Sequence, residues 1–124
     1  MIPTHEQLAG WTNTTRRLAT SAERLGLYHD LYEVERRINA ESGYRTLQGG
    51  CAMRVMRFAS AVRALTTADL ERLGVGEGYI KAVIGACLAL ARELIAHENI
   101  PSPGWKTMCE EGGWDYTPAG ANDY

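Results

Sequence analysis

The sequence predicts an all-α fold, a compact bundle of four to five helices with an irregular C-terminal tail. Three observations carry that reading. Apolar residues recur every three or four positions through several long stretches, the period of a helix that buries one face. Ala, Leu, Arg and Glu, all good helix formers, are common. Many of the 13 glycines fall at the boundaries of these stretches. The 124 residues suit one domain. Residues 1–97 form the bundle, and residues 98–124 form a Pro/Gly/aromatic acidic tail that docks on its own body or on a partner.

The first helix starts at "PTHEQLAGW", where Thr4 and Gln7 have the spacing of a capping box. Leu8, Trp11, Thr15, Leu18, Ala22 and Leu25 follow at helical spacing, and Gly26 ends or bends the helix. The second segment, "LYHDLYEVERRINAES", has Leu27, Leu31, Val34 and Ile38 as its core stripe, with Tyr28 and Tyr32 on an adjacent face and Gly43 as its stop. The third runs from about Thr46 past the pair Gly49–Gly50, with Cys51, Val55, Phe58, Val62 and Leu65 on one side. In "TTADLERLG", Thr66 or Thr67 caps a short helix and Gly74 closes it. The last long helix runs from near Gly78 to about His97. Its apolar residues cover more than half the circumference, which predicts a central place in the bundle. Pro101 and Pro103 stop any continuation.

Net charge is −2, unevenly spread. Residues 1–97 carry 12 Arg and Lys against 10 Asp and Glu, whereas residues 98–124 carry Lys106 against five acids. The body lacks the strong positive field of a protein that lives on nucleic acid. Arg16–Arg17, Arg36–Arg37, Arg45, Arg54 and Arg57 can align into a basic patch, or form a mixed solvated face with the interleaved glutamates. Tyr28, Tyr32 and Tyr44 can stack on bases or close the bundle's edge. The odd count of cysteines, Cys51, Cys87 and Cys109, without CxxC spacing, predicts free thiols in a reducing compartment. With neither a signal-peptide pattern nor an apolar run of about 18 residues, the expectation is a cytoplasmic chain that does not enter membranes.

One stretch has a motif-like pattern: "LERLGVGEGYIKAV", Leu70 to Val83. Through Leu70, Leu73, Gly74, Val75, Gly76, Ile80 and Val83 it resembles the helix–hairpin–helix motif of DNA-binding and DNA-repair proteins. The resemblance implies a nucleic-acid contact at Gly74 and Gly76, whose amides hold a phosphate at a helix start, with Arg72 and Lys81 beside it. It also implies that Val75 plugs the interior. The pattern departs from the motif where Leu73 runs straight into Gly74, and where Glu77 sets a like charge against a phosphate; the preferred reading is a structural turn that only changes the chain's direction.

No catalytic constellation is legible. GxSxG and Walker sequences are absent, and "GVGEG" lacks the preceding strand of a dinucleotide loop. His29 with Glu33, and Glu93 with His97, are spaced to offer two metal ligands each, but also to form plain surface contacts. Cys51 and Cys87 fall on apolar stripes, which leaves Cys109 as the exposed thiol. The expectation is a non-enzyme without metal or cofactor. The tail sets Trp105, Trp114, Tyr116 and Tyr124 among Glu110, Glu111 and glycines, an interface-like composition. The preferred function is therefore a small interaction protein, a regulator, inhibitor or assembly factor of a larger protein, using those tail residues and an exposed helix face. A nucleic-acid-binding module is the alternative. An exposed helix face also leaves pairing with a second copy open.

Overall fold

The structure, a computed structural model, describes residues 3–40 and 50–98. They form an all-α bundle of five helices: α1 (His5–Arg24), α2 (Leu31–Ala40), α3 (Cys51–Arg63), α4 (Thr67–Leu73) and α5 (Glu77–His97).

Local chemistry sets most of the helix ends. At α1, the Thr4 hydroxyl accepts the Gln7 amide at 3.0 Å while the Gln7 side chain accepts the Thr4 amide at 2.8 Å, so two orphan donors are satisfied reciprocally. Gly26, at φ 68°, lets the chain turn left-handed after α1, and the Leu27 amide returns to the Ala22 carbonyl. The second helix starts four residues later than its apolar pattern suggests. Asp30 accepts the Glu33 amide at 3.0 Å, a cap that fixes the start at Leu31 and leaves Leu27 to Asp30 as connection. Thr66 and Asp69 form a second capping box at α4. The start of the third segment before Gly50, and Gly43, lie outside the described residues.

Cross-helix contacts fix the topology. Thr12 meets Asn39 and Arg16 meets Glu35, so α1 and α2 are antiparallel. His29, just before α2, lies against Phe58, and Arg37, near the end of α2, lies beside Gly50 at the start of α3, so α2 and α3 are antiparallel. The Ala52 amide, in the first turn of α3, reaches Glu98 just beyond α5. Trp11 on α1 meets Glu93 on α5, and Ser21 meets Tyr79, which closes the ring. Four long helices thus run up, down, up, down, and α4 bridges α3 to α5. Phe58, Leu31, Ile38, Met56, Leu94 and Val55 are fully buried at the centre. Each such side chain contributes about 1.5–3 kcal/mol by leaving water. The centre is lined by α2, α3 and α5, with α1 laid across α2 and α5 through Leu8, Trp11, Thr15 and Leu18.

The end of α3 that meets Glu98 has an unusual cap. Gly50 occupies the N-cap at φ 114° and offers no side chain. Glu98 supplies one from 46 residues away: its Oε1 accepts the Ala52 amide at 2.8 Å, and the Gly50 and Cys51 amides face the same carboxylate. Oε2 is buried and has no hydrogen-bond partner among the described residues. Burial pushes this carboxyl up to about 7, against the opposing pull of the three amides and of Arg37.

Candidate functional site

The glycine turn between α4 and α5 is tightly built. Gly74 adopts φ 68° and ψ 32°, the left-handed conformation that closes α4, and the Val75 amide returns to the Leu70 carbonyl at 3.1 Å. Val75 is buried, with Leu70, Leu73 and Ile80 packed partly against the core. Gly76 is the extended N-cap of α5 and gives its first amides no side-chain cap. The positive end of a 21-residue helix therefore opens to solvent there. Its electrostatic surroundings are mixed. Arg72 is held by Asp69 at 3.3 Å, Glu77 sits in the first turn of α5, and Lys81 is exposed one turn on.

A longer feature runs along α5. α1 and α5 touch at both ends, through Trp11 with Glu93 and His97, and through Tyr79 with Ser21 and Arg24. Between those ends they part over two adjoining depressions of about 650 and 270 Å³ that share Thr14, Arg17 and Ala86. The walls are small side chains: Gly10 and Thr14 on α1, Ala82, Ala86 and Ala89 on α5. Leu18, Val83 and Leu90 form the floor. From Tyr79 to Glu93 the groove is about 21 Å long at 1.5 Å per residue. Glu6 and Glu93 lie at one end, and Arg17 stands where the two depressions meet.

The arginines do not gather into a bare basic patch. Arg16 pairs with Glu35 at 2.7 Å, Arg36 and Arg37 share Glu33, and Arg54 pairs with Asp30. This is the mixed, ion-paired face. Arg36 and Arg37 hold the Glu33 carboxyl down at about 2. Arg45 lies outside the described residues.

The spacings that could serve a metal are otherwise engaged. Glu93 accepts the Trp11 indole N–H at 2.5 Å, and His97 is buried with its ring 5.2 Å from that of Trp11. His29 lies against Phe58 at 5.3 Å, and burial lowers its basicity. Among the described residues no three His, Cys, Asp or Glu side chains converge where a metal could sit. Cys51 and Cys87 are buried, and burial pushes the Cys87 thiol up to about 12, which keeps it protonated and unreactive. No helix among the described residues is long and apolar enough to cross a membrane.

Trp105, Cys109, Glu110, Glu111, Trp114, Tyr116 and Tyr124, like Tyr44, lie outside the described residues. The groove residues Thr14, Ala82, Ala86 and Ala89 were not singled out from sequence. Their small size was visible, but their facing one another depends on how α1 crosses α5. Compared with known proteins, the chain matches no family model, no curated protein and no solved structure.

Proposed function

We propose that this protein is an interaction module that takes a helical segment of a larger protein into the groove between α1 and α5. The groove itself carries the reading. Small side chains facing across two depressions with an apolar floor are what a helix needs to seat two bulky apolar residues two turns apart. The charge along the groove favours one polarity. A bound helix places its positive N-terminus by Glu6 and Glu93 and runs from there past Arg17, whose charge faces its later turns. Regulation, inhibition or assembly of the larger protein would follow from that contact.

The test uses Ala82→Arg combined with Ala89→Arg. Both positions are exposed on the groove wall, so the fold tolerates the change. The control is Arg57→Ala, at an exposed position on α3. Proteins captured by the wild type and the control, and lost by the double variant, support the reading; capture unchanged by the double variant contradicts it.

A second reading rests on the uncapped α5 amides behind Gly74 and Gly76, a geometry suited to a nucleic-acid phosphate, with Lys81 and Arg72 nearby. Duplex DNA titrated at about 50 mM salt tests it, because phosphate contacts are strongest at low salt. Absence of binding there ends it.

A further inference from the structure

The connection between α1 and α2 and the first turn of α2 present two exposed large apolar side chains: Tyr28 is 93% exposed and Tyr32 69%. Isolated exposed aromatic rings are ordinary, but these two flank a single depression of about 340 Å³, floored by Ala19, Ala22 and Leu27. Its ionisable wall is acidic. Glu23 and Asp30 line it, and the neighbouring His29 is kept towards its neutral form by burial. Asp30 is partly engaged, through Oδ1 with the Glu33 amide and through Oδ2 with Arg54 at 3.2 Å. The Glu23 carboxylate has no ion-pair or hydrogen-bond partner among the described residues. Arg36, one helical turn on from Tyr32, is held by Glu33 through two hydrogen bonds, so its charge is spent locally.

Two aromatic faces, an unpaired carboxylate and no cation in the lining form a recognisable chemistry. A flat or compact cation gains from the negative faces of the rings and from the carboxylate together. We propose that the Tyr28–Tyr32 depression is a docking pocket for a single arginine or lysine side chain of a partner protein, sandwiched between the tyrosine rings and paired with Glu23. Tyr28, 93% exposed, has open space in which to fold over the bound cation. This deepens the interaction reading, and rests on it only in that a protein carries the cation. Arginine is favoured over lysine because its planar guanidinium stacks on the rings while it donates to a carboxylate.

The test is an amide chemical-shift titration of the full chain with a blocked tetrapeptide containing one arginine, beside the same peptide with citrulline and with glutamate. The expected result is millimolar binding of the arginine peptide, with shifts confined to residues 19–32. Citrulline and glutamate peptides should bind at least several-fold more weakly. Tyr28→Ala, Tyr32→Ala and Glu23→Gln should each weaken binding by roughly two- to five-fold, while Tyr28→Phe, which keeps the ring, retains it. All three weakened positions are exposed or rim the pocket, so the core is untouched. Equal binding of arginine and citrulline peptides would overturn the proposal, as would arginine binding unchanged by Tyr28→Ala and Tyr32→Ala. Failure of these peptides leaves the groove variants' capture result standing, so the two readings fail separately.

Discussion

Glu98→Gln isolates the long-range cap on α3. In the folded chain burial raises the Glu98 carboxyl from its ordinary 4.5 to about 7. Between those values the folded state binds a proton that the unfolded chain has already released. The stability this group contributes is therefore fully present below pH 4.5 and is lost as pH rises through about 7. At about 1.36 kcal/mol per unit, the separation amounts to about 3 kcal/mol. Glutamine keeps an acceptor for the Ala52 amide but cannot ionise. His29, whose basicity burial lowers, gives an opposite slope near neutrality, but it is present in both proteins and cancels in their difference. The assay is urea unfolding followed by far-ultraviolet circular dichroism from pH 4.5 to 8.5. The wild type should lose up to about 3 kcal/mol relative to Glu98→Gln across that range, a midpoint shift on the order of 1 M urea. A difference that stays constant with pH, or that grows in favour of the wild type, would refute the buried-carboxylate reasoning.

Other substitutions separate backbone from side-chain effects. Gly74→Ala forces a Cβ into φ 68° and should cost about 1 kcal/mol, whereas Gly85→Ala, in mid-helix with nothing within 4 Å of its Cβ, should stabilise by a similar amount; thermal unfolding of the two compares them. Thr66→Ala removes the hydroxyl that accepts the Asp69 amide and should cost about 1 kcal/mol in denaturant unfolding. Cys51 and Cys87 should resist thiol reagents until the chain unfolds, read by labelling and peptide mass. Phe58→Ala, at a fully buried central position, should cost about 3–5 kcal/mol or prevent folding, read by circular dichroism and denaturant titration.

What the sequence made legible is what short-range chemistry decides. The Thr4–Gln7 box, a threonine cap at Thr66 or Thr67, the stop at Gly74 and the apolar stripe through Val55, Phe58 and Val62 each follow from residues close in sequence, and the structure places the cap at Thr66. The start of α2 was misread because apolar spacing counts Leu27 as helical, while the Asp30 carboxylate competes for the Glu33 amide and opens the helix at Leu31. The Glu98 cap was not legible at all. Gly50 signals only a break, and the acceptor that completes it stands at the far end of another helix. The candidate sites divide in the same way. The glycine turn could be read from one window of sequence. The α1–α5 groove exists only because Trp11 with Glu93 and Ser21 with Tyr79 hold the helix ends together over small residues between.

Hydrogen exchange on the complex with a partner lost by the groove variant is the most direct measurement of where this protein binds. The expected result is added protection along residues 10–21 of α1 and 79–93 of α5, on both walls of the groove. Protection confined to α3, or to the turn from Gly74 to Gly78, would contradict docking between α1 and α5.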